Sequence, residues 1–219
     1  MPVITISRQI GSNGEKIAQD LCDLLGYSYF DKSLLVSEAV KLGLTEREII
    51  DFSEENYKTQ TLIERLFSPG VRVVTSTEIR QRDESGIEKK FTRHLDESDH
   101  IHMIRQVINV AHNRGNMVIV GRGGQVVLQR KPDVLHVRLV APLDLRISRL
   151  RKEKFWDVEK TLQYALERDK ATTEYLYRFF KVQWDDPTLY NLTLNTGELT
   201  HEEVIDKINN AIESLAQAA

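Results

Sequence analysis

The chain has one cysteine, Cys22, in 219 residues. No disulfide can form within it, and a reducing compartment is expected. No apolar run approaches the roughly 18–20 residues that span a bilayer. The first residues run straight into a strand-like segment, without the basic stretch and cleavable apolar core of a secretory leader. A cytoplasmic protein with no membrane partner is the expectation. Basic residues are not in excess either: 30 Lys and Arg stand against 33 Asp and Glu, for a net charge of −3. That balance argues against a nucleic-acid partner, which calls for a strongly basic face. The six histidines show no metal-ligand spacing, and His100 and His102 fall on different sides of a helix, so no metal site is expected. The Gly-x-Ser-x-Gly elbow of serine hydrolases and the Gly-x-Gly-x-x-Gly dinucleotide fingerprint are both absent.

What is present suits one packed domain: 41% hydrophobic and 29% charged residues, without internal repeats or low-complexity tracts. Val3 to Ser7 reads as a strand. Ile17, Leu21, Leu24 and Leu25 mark one helix face, which Gly26 ends. Tyr27 to Phe30 predicts a second strand, followed by a helix over 33–42, another opened by the Thr45-x-x-Glu48 capping box, and helical character over 53–66. Val71–Thr77 and Ile87–Thr92 flank the turn Asp83-Glu84-Ser85-Gly86 and predict a projecting hairpin arm, with a solvated loop as the competing reading. Ile101, Ile104, Ile108 and Ala111 mark a helix. Met117–Val120 and Val134–Val140 read as strands, the first apolar enough to be buried on both faces. One long helical region is expected over 144–181, then a strand at Leu192–Asn195. A closing helix begins at the Thr200-x-x-Glu203 capping box, and Ala216 to Ala219 are expected to fray. Alternating strands and helices make the fold α/β with a mainly parallel sheet, whose ligands bind at the C-terminal strand ends.

Three groups of residues could carry chemistry. The first is the loop Arg8-Gln9-Ile10-Gly11-Ser12-Asn13-Gly14-Glu15-Lys16 between the first strand and helix. Loop amides and the positive end of a helix converge on one anion-sized spot there, and Gly11 and Gly14 allow close backbone approach. The bland alternative is an ordinary strand-to-helix turn. The second is Gly121-Arg122-Gly123-Gly124 after a buried strand, where Arg122 could grip a phosphate bidentately. The third is a set of arginines around 138–178. Arg146, Arg149 and Lys152 share a helix face, and from periodicity alone they read as a solvated basic face. Cys22 reads as a small core residue rather than a nucleophile.

With these residues assembled, the chain resembles the cytidylate kinase-like family. The resemblance runs from Ile4 to about Ile208. It is carried by Ile4-Thr5-Ile6-Ser7-Arg8 with Gly11-Ser12-Asn13-Gly14, by Tyr29-Phe30-Asp31-Lys32, by Val118-Ile119-Val120-Gly121-Arg122, and by Trp184-Asp185-Asp186-Pro187 leading to Tyr190–Thr196. It implies a three-layer P-loop kinase core with a five-stranded sheet (about 1–31, 101–143 and 188–215), an inserted monophosphate-binding region (about 32–100) and a helical lid (about 144–187). It further implies ATP as donor with Mg2+, and a pyrimidine monophosphate such as CMP or dCMP as acceptor. By position, Arg8, Gly11, Ser12, Asn13, Gly14, Glu15 and Lys16 would hold ATP phosphates. Asp31, Lys32 and Arg122 would meet the acceptor. Arg122, Arg146, Arg149 and Arg168 would be the catalytic cations.

The departures from true cytidylate kinases are specific. Gly14 stands where the phosphate-loop lysine is expected and Lys16 where a magnesium-binding Ser or Thr is expected. Gly123 replaces an aspartate, Ser37 an acceptor-binding arginine and Thr172 a lid arginine. Three readings follow: a nucleotide phosphotransferase, a catalytically weakened nucleotide-binding regulatory module, or an interaction protein that dimerises through the 71–94 arm.

Overall fold

The computed structural model describes residues 2–30, the strand residues 75–82 and 88–95, and residues 97–218. The expected helices over 33–66, the Thr45 capping box, and Asp31, Lys32 and Ser37 lie outside the described residues. The main sheet has five parallel strands: β1 (Val3–Arg8), β2 (Ser28–Phe30), β5 (Met117–Val120), β6 (Val134–Val140) and β7 (Leu192–Asn195). They lie in the order β2-β5-β1-β6-β7. The hairpin predicted near 71–94 forms: β3 (Thr75–Arg82) pairs antiparallel with β4 (Glu88–Leu95), Thr75 opposite Leu95 and Arg82 opposite Glu88. Helix α1 (Gly14–Leu25) follows β1, and α2 (Glu97–Arg114) precedes β5. After β5 come α3 (Gly124–Val127), then α4 (Leu143–Lys154) and α5 (Val158–Phe180) following β6, and α6 (His201–Ala218) closes the chain.

Alternation along the strands builds a core on each side of the sheet. On one face Ile4, Ile6, Val118, Leu135, Val137 and Leu194 pack against Ile17 and Leu21 of α1 and Val204, Ile208 and Ile212 of α6. Cys22 is buried in this layer, which pushes its thiol up to about 11, as befits an inert core residue. On the other face Val3, Met117, Ile119 and Val134 pack against Ile104, Val107 and Ile108 of α2 and Tyr175 and Leu176 of α5. The three-layer α/β arrangement expected from the sequence is therefore present. Among the described residues no helix is long and apolar enough to cross a membrane.

The second face changes character toward the C-terminal strand ends. Along β1 it runs Val3, Thr5, Ser7; along β6 it runs Val134, His136, Arg138, in register as neighbours. Thr5 Oγ1 and His136 Nδ1 share a buried hydrogen bond of 2.7 Å. Ser7 Oγ accepts one of 2.8 Å from the indole N–H of Trp184. Apolar packing thus gives way to hydroxyls, imidazole and guanidinium just below the loop that follows β1.

Two details differ from the sequence reading. The region 144–181 is not one helix. Phe155 takes a left-handed conformation (φ 56°) and ends α4, and Asp157 then caps α5 by accepting the Lys160 N–H at 2.8 Å. Bulky residues seldom adopt that backbone, so helix periodicity gave no warning of the break. The tail also stays helical through Ala218. The glycine stop at Gly26 (φ 66°) and the capping box, in which Thr200 N–H donates to Glu203 at 2.8 Å, form as expected.

Candidate functional site

The loop from Arg8 to Gly14 leaves β1 at the C-terminal edge of the sheet, between the ends of β5 and β6. Its course is fixed by main-chain bonds: Gln9 N–H donates to Leu139 O at 3.0 Å, Ser12 N–H to Gln9 O at 3.1 Å, and Ile17 N–H to Asn13 O at 3.0 Å. Gln9 Oε1 accepts from Ala141 N–H at 3.1 Å, and Ser12 Oγ donates to Gln9 O at 2.7 Å. Asn13 (φ 63°) turns the chain into α1 in the left-handed region, which asparagine tolerates better than most side chains. The first turn of α1 then presents N–H groups that a helix leaves without an intrahelical acceptor. These amides and the helix dipole form an anion-binding geometry.

Gly11 (φ 80°) is needed for two reasons: its backbone sign, and a close approach to α4, where an added Cβ would lie 2.9 Å from Arg146 O. The close neighbour is protein rather than ligand. Gly14 has a different role. It is helical, and an added Cβ would lie 2.6 Å from Arg8 Cγ. Arg8 is itself buried, with Nε and Nη2 each 2.9 Å from Glu15 Oε1.

Helices α4 and α5 grip this loop. Arg146 is buried and donates to Ile10 O at 3.3 Å and to Asp169 Oδ2 at 2.7 Å. The ion pair thereby anchors the Arg146 guanidinium against the Ile10 carbonyl. Burial raises the Asp169 carboxyl above its ordinary range despite the opposing pull of Arg146. Arg149 donates to Gly11 O at 3.4 Å, to Thr196 Oγ1 at 2.8 Å and to Thr196 O at 2.7 Å. Burial lowers the Arg149 pKa. The sequence placed Arg146 and Arg149 as cations that close over a transferring group. In the structure both guanidiniums bind the loop's own carbonyls and so shape it.

Arg122 sits across from the loop at the end of β5. Gly121, Arg122 and Gly123 are three successive left-handed residues (φ 70°, 58° and 72°). They turn the Arg122 side chain toward the end of β2, with its guanidinium 5.4 Å over the Phe30 ring and Nη1 3.5 Å from Phe30 O. Gly123 has no room for the expected aspartate: a Cβ there would lie 2.6 Å from the Phe180 ring. Arg168 lies 4.9 Å over the Tyr164 ring, in a cluster where Trp156 packs edge-on to Tyr164 and Lys160 lies over Trp156. Its chain neighbour Asp169 is the residue that pairs with Arg146. Thr172, where a lid arginine is usual, is buried.

Two site features escaped the sequence reading. Asp169 falls among the buried positions Thr161, Ala165, Thr172 and Leu176 of α5, and a carboxylate on a buried helix face needs a partner. That signal was readable. The Trp184-Ser7 bond was not. Tyr190 adds to it, donating to Trp184 O at 2.8 Å, while Arg138 lies 5.4 Å over Trp184 and 5.5 Å over Tyr190. The Trp184–Tyr190 segment is thereby tied to the strand that feeds the loop.

Comparison with known proteins bears on the family and the fold. The model of the cytidylate kinase-like family matches residues 3–198. The cytidylate kinase of Archaeoglobus fulgidus is 24% identical, the match covering 96% of this chain and 94% of that protein. The cytidylate kinase of Methanosarcina barkeri is 25% identical over 107 residues, which cover 48% of this chain and only 59% of the relative. A solved structure from Eubacterium ventriosum, of an uncharacterized protein, shares the fold with a TM-score of 0.66 at 18% identity, covering 98% of this chain and 99% of that one. A strand–loop–helix pinned at the sheet edge, with Arg122 at the end of the neighbouring strand, is thus accompanied by a family match over most of the chain, and the protein belongs to the cytidylate kinase-like family.

Proposed function

We propose that this protein transfers the γ-phosphoryl group of Mg-ATP to a nucleoside monophosphate, with CMP or dCMP the favoured acceptor. The observation that supports this best is the loop after β1, held by Arg146, Arg149 and Asp169 in a form whose helix-terminal amides suit a polyphosphate. Arg122, on the neighbouring strand end, meets the acceptor phosphate. Catalysis of this kind is positioning and charge neutralisation, without a covalent intermediate. The loop offers magnesium little direct ligation: Lys16 stands where a hydroxyl is expected. Among the described residues no group of three or more His, Cys, Asp or Glu is gathered for a metal. Magnesium commonly binds through substrate phosphates and water, so it would enter with ATP as part of the substrate.

The test is ADP release from Mg-ATP in the presence of CMP, dCMP, UMP, AMP or GMP, beside an Arg122→Ala control. Turnover with one monophosphate, abolished by the substitution while the melting temperature holds, is the expected result. A second reading, a nucleotide-binding regulatory module without catalysis, is favoured by Gly14 in place of the lysine. Nucleotide binding without acceptor-dependent ADP release from any monophosphate would decide for it.

A further inference from the structure

We infer that Arg8 is the phosphate-binding cation of this loop, and that residue 14 is glycine because Arg8 occupies the space a side chain there would need. The inference rests on the phosphoryl-transfer reading above and names a residue for it. A Cβ on Gly14 would lie 2.6 Å from Arg8 Cγ and 2.8 Å from Arg8 Cβ. The second distance decides the matter. Arg8 Cβ is fixed by the backbone of β1 whatever rotamer the side chain takes, so a side chain at 14 requires glycine at 8. In the standard phosphate loop, Gly-x-x-x-x-Gly-Lys-Ser/Thr, the first glycine and the lysine stand at these two places. This chain carries the pair reversed, a long cation at 8 and glycine at 14. The missing first glycine and the missing lysine are one exchange rather than two losses.

Charge placement supports the same assignment. The Arg8 guanidinium is drawn to Glu15 in the first turn of α1, with two nitrogens 2.9 Å from Oε1. It therefore lies beside the helix terminus whose amides attract an anion. Arginine keeps its charge when buried and carries five N–H donors in a fixed fork suited to phosphate oxygens. Glu15 acts as a positioning residue that aims this fork. The ligand class is the polyphosphate chain of a nucleoside triphosphate.

The experiment is calorimetric titration with Mg-ATP and with inorganic tripolyphosphate, and a melting curve for every variant. Arg8→Met keeps the stem and removes the charge. It should melt like the wild type and bind tripolyphosphate at least about tenfold more weakly, as expected for losing charge-assisted hydrogen bonds. Gly14→Lys should melt lower and lose binding. Combining it with Arg8→Gly should restore both, so that the lysine harms one background and rescues the other. A loss below tenfold in Arg8→Met, or a double variant no more stable than Gly14→Lys, overturns the inference. Wild-type protein that binds neither ligand overturns the phosphoryl-transfer reading and the charge role together. In that case the melting temperatures of Gly14→Lys and the double variant still judge the steric exchange separately.

Discussion

Breaking the Arg146–Asp169 pair should reveal an asymmetry set by chemistry rather than by contact area. The pair is close, 2.7 Å, with side chains only 5% and 19% exposed. Removing one partner of a buried pair costs about 3–5 kcal/mol because the other charge is left unpaired. The two leftovers differ. Arginine cannot lose its proton, whereas a carboxyl can neutralise itself, and burial already raises the Asp169 pKa. Asp169→Asn should therefore cost about 3 kcal/mol at neutral pH and Arg146→Met about 2 kcal/mol. The double substitution should cost well under their sum, with a coupling of at least about 1.5 kcal/mol. The pH response separates them further. In Arg146→Met the folded-state pKa of Asp169 lies above its unfolded value of 3.8. That penalty is present above the folded pKa and is relieved as pH falls through it, so this variant alone should regain stability relative to wild type on acidification from pH ~7.5 to ~5. Urea denaturation of the four proteins at both pH values measures all of this. Single-variant costs that add within about 0.5 kcal/mol, or an Arg146→Met deficit that does not shrink on acidification, would refute the brace as described.

Further perturbations probe other parts of the molecule. His136 is held neutral by burial, which pushes its pKa from 6.5 down to about 4. Its unfolded form therefore binds a proton first, and stability falls as pH drops below about 6.5, by about 2 kcal/mol between pH 7 and pH 5. His136→Gln should remove that slope in denaturant titrations, and an unchanged slope would reject the assignment. Phe155, left-handed and 91% exposed, should be replaced by glycine with a gain of roughly 0.5–1 kcal/mol, read as a higher melting temperature. Trp184→Phe should remove the indole bond to buried Ser7 and cost about 1–2 kcal/mol in the same assay; a neutral result would mean that Ser7 finds another partner.

The sheet was readable because β5 is a continuous apolar run and its neighbours β1 and β6 are mostly apolar, and α1 because Gly26 and its apolar face agree on where it ends. The family resemblance, likewise, lay in local strings such as Gly121-Arg122. What stayed hidden was direction. Arg146, Arg149 and Lys152 share a spacing, yet periodicity does not say which side of α4 meets the loop, and two of the three turned out to hold it. Loop glycines signalled room without saying for whom: Gly11 makes room for α4, Gly14 for Arg8. The polar run Thr5, Ser7, His136, Arg138 was concealed inside two strands that average apolar. Only the register between β1 and β6 brings those residues side by side.

The contact between Gly123 and Phe180 bears on what position 123 can accept. A side chain at 123 would strike the ring at 2.6 Å. Trimming the ring alone would open a hole beside the core that Phe180 packs against, at a cost of several kcal/mol for a change as large as Phe→Ala. Trimming the ring would not free the position either, because its φ of 72° strains any side chain there whatever the space. Glycine beside Arg122 is thus required on two independent grounds, the ring and the sign of its own backbone angle, whichever acceptor the protein uses.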